Sequence, residues 1–136
     1  MDNYIKKIIY LGPNGTNSEF AANKFKEKMG IDVEMEPIST ITKVIEILDN
    51  KEPDTTCAIL PIENSIEGIV RETIDNLVKT TSDIFVQAEF SIPISHCLIS
   101  KGKKEDIKTI VSISQAVMQC KEYRSEEHTS ELQSRL

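Results

Sequence analysis

The spacing of apolar positions switches repeatedly between a strand period and a helix period. Residues 7–11 are a short β-branched and aromatic run ending at Gly12-Pro13, a turn signal, and predict a strand. Residues 18–29 carry Phe20, Ala21, Phe25 and Met29, and the 21/25/29 spacing predicts one helical face. Residues 32–38 alternate, with Val33 and Met35 on one side and Pro37 ending or edging the strand. Ile41, Val44, Ile45 and Leu48 fall at i, i+3, i+4 and i+7 behind Ser39, the candidate N-cap. Residues 55–62 are continuously apolar, as expected of a strand buried on both faces. Ile69, Val70, Thr73, Ile74 and Leu77 then restore the helical period.

The order βαβαβα predicts an α/β sheet of largely parallel strands. Residues 84–99 change the pattern to a long strand-like stretch interrupted by Pro93. That exceeds the usual strand of roughly 5–6 residues, so it reads as two strands or as one crossing between lobes. A turn at residues 101–104, a strand at 109–113 and a helix at 114–123 follow. We therefore expect a first lobe over about residues 1–83 and the start of a second over about 84–123. No internal repeat is present.

Residues 124–136 (RSEEHTSELQSRL) break with this pattern, with two leucines as the only strongly apolar residues and neither period. Composition alone predicts a disordered tail. The first eleven residues also match, on back-translation, the read-through of a common short-read sequencing adapter. The expectation is a non-native tail with the natural frame lost near Tyr123, which sets aside Glu126, Glu127 and His128 as functional candidates.

Charge narrows the function classes. The 136 residues carry 16 basic and 22 acidic side chains, a net charge of -6, with no basic cluster beyond Lys101 to Lys104. A nucleic-acid or anionic-membrane surface is not expected. At 39% hydrophobic the chain can bury a core, yet no apolar run reaches the ~18 residues of a membrane span. The start has a short apolar stretch and no small-residue cleavage site, so a signal peptide is not expected and a cytoplasmic location is. Cys57, Cys97 and Cys120 are far apart among apolar neighbours and read as reduced, buried thiols, with no metal-ligand spacing.

Two loops carry candidate chemistry. Gly12-Pro13-Asn14-Gly15-Thr16-Asn17-Ser18 lies between a strand and a helix, and Thr16 with Glu19 fits a capping box. Its glycines allow close approach, and its N–H groups with the Thr16 and Ser18 hydroxyls suit a carboxylate or phosphate. An ordinary βα turn with a well-capped helix accounts for the same residues. Pro61-Ile62-Glu63-Asn64-Ser65-Ile66-Glu67-Gly68 also joins a strand to a helix, so both loops would face one crevice at the carboxyl ends of parallel strands. Asn64 and Ser65 can donate to a carboxylate and Glu63 can orient a donor; capping by Asn64-Ser65 and a solvated Glu63 are the alternative. His96 reads as a structural histidine, Gln115 and Gln119 as a solvated face or ligand readers, and Val117 and Met118 as core.

Together these strings resemble one family. IIYLGPNGTNSEFAA is similar to the opening segment of prephenate dehydratases, and AILPIENSIEGIVRETIDNL resembles their PIENS segment almost throughout. AEFSIPISHCLI and VSISQAVMQCKEY are similar to the following strand and to the SHPQ segment. The four motifs keep the family's order over roughly residues 6–123. Asn17 stands where an aromatic is usual, and Ile113-Ser114 where His-Pro is expected, removing a polar contact and a rigid turn.

The resemblance implies a two-lobed α/β domain of the periplasmic-binding-protein type (type II), the second lobe incomplete, with substrate between the lobes. It implies conversion of prephenate to phenylpyruvate, water and carbon dioxide, with no cofactor and no metal because aromatisation drives the fragmentation. Carried over, Thr16, Ser18, Asn64, Ser65, Ser112 and Gln115 are substrate-binding residues, and Gly12, Gly15, Glu63 and Gly68 are structural support. The family's Thr-Arg-aromatic motif, with its proposed general acid, has no counterpart here, so the catalytic residue is unassigned and this chain is expected to be inactive. There is no room for the regulatory ACT domain of many members, and a homodimer is expected of the full-length parent. An arogenate dehydratase and a non-catalytic small-carboxylate-binding lobe are the alternative functions.

Overall fold

The computed structural model describes residues 5–50, 55–80, 83–126 and 132–134, of which 124–126 and 132–134 are described by backbone alone. The first residues of the chain and most of the expected tail, Glu127 and His128 included, lie outside the described residues. Two compact units divide the chain at Ile92 and Pro93.

The first unit is built on three parallel strands, β1 (Lys7–Leu11), β2 (Glu34–Ile38) and β3 (Thr56–Ile59), in the order β2-β1-β3. Helix α1 (Asn17–Met29) joins β1 to β2, and α2 (Ile41–Asp49) joins β2 to β3. Beyond β3 a small antiparallel pair, β4 (Glu63–Asn64) and β5 (Gly68–Ile69), leads into α3 (Arg71–Lys79).

Strand alternation divides the core into two layers. Ile8 and Tyr10 of β1 pack with Ala22 and Ile31 on the α1 side, where Phe25, Val33 and Ile59 close the layer. Ile9 points the other way, onto Ile38 and Val44, with Ile47, Leu48 and Ala58. Ile8 and Ile9 are completely buried, each side chain contributing about 1.5–3 kcal/mol by transfer from water. Helix α3 packs beside α2, tied by Thr42 donating to the Glu72 carboxylate at 3.3 Å and Thr80 to that of Asp49 at 2.5 Å.

Several expectations are corrected in detail. The run at 55–62 is a strand only over Thr56–Ile59, and it is half-buried because it stands at the sheet edge; the doubly buried strand is β1. The buried face of α1 centres on Ala21 and Ala22, leaving Phe20 and Met29 exposed. An i+4 series drifts about 40° per step around a helix of 3.6 residues per turn, which carries Met29 out of the layer. Thr40, not Ser39, caps α2, its hydroxyl accepting from Lys43 N–H at 3.1 Å. Helix α3 starts at Arg71 because Gly68 and Ile69 are paired in β5. Residues 84–99 form no strand: none of the described residues pairs with them, and Phe85, Val86 and Ile99 stay exposed.

In the second unit, β6 (Ile110–Ser112) precedes α4 (Ser114–Gln119) and α5 (Lys121–Glu126). The single helix expected over 114–123 is broken at Cys120, whose ψ of 15° leaves the helical range. The expected tail is not without regular structure: α5 runs into it, and β7 (Leu132–Ser134) pairs in parallel with β6. Backbone pairing over three residues needs no side-chain period. Met118 is exposed rather than core, and so is Cys97 rather than a buried thiol.

The reassigned cap has a direct test. Thr40→Ala should cost about 1 kcal/mol in urea unfolding. Ser39→Ala should stay within about 0.5 kcal/mol of the parent. The opposite ranking would return the cap to Ser39.

Candidate functional site

The loop after β1 is shaped by close approach and by an internal carboxylate. Gly12 donates to Ile38 O at 2.7 Å, and a Cβ at Gly12 would lie 2.9 Å from the Pro37 ring, so only glycine fits between β1 and β2 there. Gly15 has φ +84°, which turns the chain into α1. The Thr16 hydroxyl accepts from Glu19 N–H at 3.4 Å and donates to Leu11 O at 3.3 Å, so it is engaged in both roles. The Glu19 carboxylate accepts from Gly15 N–H at 2.5 Å. The Thr16 half of the expected capping box therefore forms in register, the reciprocal Glu19 bond falls one residue early on Gly15, and one N–H of the candidate anion site is taken by the protein's own carboxylate. The half-buried Ser18 hydroxyl makes no hydrogen bond among the described residues.

Beneath this loop lies Tyr10, read from the sequence only as strand. Its ring is core, 2% exposed, while its hydroxyl donates to Asn14 Oδ1 at 2.7 Å and lies 3.4 Å from Glu19 Oε1.

The loop after β3 divides the work of one amide. Asn64 Oδ1 accepts from Ile66 N–H at 2.9 Å and Glu67 N–H at 3.4 Å, closing the turn between β4 and β5 that Gly68, at φ +79°, completes. The Asn64 NH2 group makes no hydrogen bond among the described residues and remains a donor. Ser65 is exposed beside it, its hydroxyl likewise unbonded among those residues. Glu63 acts through its backbone, paired with Ile69, and its side chain is exposed. The base of the loop is anchored by α3: Thr73 Oγ1 donates to Pro61 O at 2.7 Å and Val70 N–H to Ile62 O at 2.9 Å. The sequence hinted at Thr73 only as the polar member of an apolar helical stripe.

Because β1 and β3 are adjacent and parallel, the two loops leave the same end of the sheet. One leads to α1, on the Ile8 and Tyr10 face; the other leads to α3, beside α2 on the Ile9 face. In open α/β sheets, exits that diverge in this way mark the strand ends as the place where a ligand crevice forms. Thr16, Ser18, Asn64 and Ser65 thus belong to one end of one sheet, whereas Ser112, closing β6, and Gln115, in the first turn of α4, belong to the second unit. His96, in no strand, is exposed and hydrogen-bonded through Nε2 to Gln119 Oε1. Among the described residues no three His, Cys, Asp or Glu side chains converge as metal ligands.

Burial pushes the Tyr10 phenol above its ordinary value of 10.0, and the Glu19 charge beside it adds to the rise. The unfolded chain then loses this proton first, so stability should fall as pH rises above about 10. Urea midpoints from about pH 9 to about pH 11 should show this decline in the parent and a shallower one in Tyr10→Phe. Identical slopes would remove Tyr10 as the cause.

Comparison with known proteins gives the family. The family model described as prephenate dehydratase matches residues 8–134. A prephenate dehydratase of Methanocaldococcus jannaschii is 39% identical over 118 residues, covering 87% of this chain and 41% of that protein. One from Lactococcus lactis subsp. cremoris is 39% identical over 118 residues, covering 86% of this chain and 39% of that protein. A bifunctional chorismate mutase/prephenate dehydratase of Buchnera aphidicola subsp. Schizaphis graminum is 35% identical over 113 residues, covering 82% of this chain and 28% of its own length. The chain thus spans at most about two-fifths of these relatives. With a family match running from the second residue of β1 through β7, and both candidate loops inside it, the chain belongs to the prephenate dehydratase family.

Proposed function

We propose that this chain is the amino-terminal part of a dehydratase that converts prephenate to phenylpyruvate, water and carbon dioxide. The observation that carries the reading is the divided role of Asn64: its carbonyl closes the loop while its NH2 group stays available at the strand ends. Prephenate is a dicarboxylate, and an amide held by two backbone N–H groups presents a donor to one carboxylate at little entropic cost. Ser65 and Ser18 add hydroxyl donors; Thr16, committed to the cap, contributes by shaping the loop.

The family resemblance also assigns substrate contacts to Ser112 and Gln115 of the second unit, in a domain of the periplasmic-binding type. Loss of the ring hydroxyl as water needs a proton, and departure of the ring carboxylate as carbon dioxide supplies the electrons that aromatise the ring. General-acid catalysis with electrostatic positioning is therefore what the full domain must provide. The family's Thr-Arg-aromatic motif is not found in this sequence, so the chain binds substrate without turning it over. The adapter-like back-translation supports reading residues 124–136 as non-native, whereas the family match runs on to residue 134, and sequencing source DNA across the Tyr123 codon decides between the two.

The purified chain should bind prephenate by calorimetry and release no phenylpyruvate. Asn64→Asp keeps the acceptor that closes the turn, replaces the donor by a negative charge and should weaken binding about tenfold or more. Release of phenylpyruvate would show the chain to be a complete catalyst. Equal binding by Asn64→Asp would remove Asn64 from the site.

A further inference from the structure

Thr73 is the one polar side chain that is fully buried among the described residues, 2% exposed inside an otherwise apolar stripe of α3. Its hydroxyl donates at 2.7 Å to the carbonyl of Pro61, twelve residues back at the exit of β3. Proline has no N–H, so that carbonyl is the only backbone group through which Pro61 can be held. The next carbonyl, Ile62 O, is taken at 2.9 Å by Val70 N–H. Two successive carbonyls of the loop are thus bonded to the start of α3, and Asn64 follows two residues later.

We propose that Thr73 is a positioning residue for the substrate loop, setting where Asn64 and Ser65 stand relative to the strand ends. The inference rests on the reading of that loop as the prephenate site. A residue that merely filled the stripe would be replaced by valine without loss, since valine has nearly the same shape and is more apolar. A residue that holds Pro61 cannot be, because valine would leave the part-buried Pro61 carbonyl without its donor.

The test uses the 136-residue chain with Thr73→Val and Thr73→Ser, followed by prephenate titration and by the amide resonances of Ile66 and Glu67, which report the Asn64 turn. Thr73→Ser should bind within about twofold of the parent and keep both amide positions. Thr73→Val should bind about tenfold more weakly and shift both amides while its far-ultraviolet dichroism is retained. Parental affinity and parental amide positions in Thr73→Val would overturn the proposal. If the parent itself fails to bind prephenate, the functional reading of the loop falls, while the amide shifts still decide whether Thr73 positions it. Should Thr73→Val not fold, a slowly exchanging Thr73 hydroxyl proton with a cross-peak to Pro61 in the parent supports the contact, and its absence overturns it.

Discussion

Ile8 and Tyr10 reach from β1 into the layer beneath α1, and Ile9 reaches the opposite way beneath α2. A strand buried on both faces needs a neighbour on each edge and a helix over each face. The order β2-β1-β3 supplies the first, and helices on opposite faces supply the second. Reversing direction at the central strand is also what parts the connections at one end of the sheet. The two polar loops share one end of the sheet because β1 and β3 run parallel side by side, so their position follows from the way β1 is covered.

Within those loops, polar groups are shared between holding the backbone and facing outward. Thr16 spends its hydroxyl on the α1 cap and on Leu11 O, and Glu19 satisfies Gly15 N–H. Asn64 gives its carbonyl to the turn and keeps its NH2 group. The two loops therefore differ in character. The first is largely self-satisfied, with the Ser18 hydroxyl unbonded among the described residues, whereas the second keeps the Asn64 NH2 group and the Ser65 hydroxyl unbonded among those residues on a backbone anchored below by Thr73 and Val70.

Much of the first unit was legible in the residues. The run at 7–11, the helix of Ile41, Val44 and Ile45, and the Thr16–Glu19 signature all point to what is found, because each rests on local periodicity or local hydrogen bonding. Apolar content misled wherever tertiary pairing decides the outcome. Residues 55–62 and 84–99 look equally strand-like, yet one supplies an edge strand and the other none, since a strand exists only where a neighbour bonds to it. Position-specific contacts were the least legible part of the site. Nothing local to Thr73 names Pro61 as its partner, and nothing in a β-branched and aromatic run singles out Tyr10 as the residue whose hydroxyl reaches a loop.

Tyr10 links two things that are usually separable. Its ring belongs to the packed layer under α1, and its hydroxyl holds Asn14 in the loop above. Loops at the ends of strands commonly breathe on their own, at a fraction of the free energy needed to open the domain. Here the ring would have to leave the core before the hydroxyl could follow the loop outward. The first loop should therefore share its fate with the sheet, so that order in the loop and order in the interior are gained and lost as a single event.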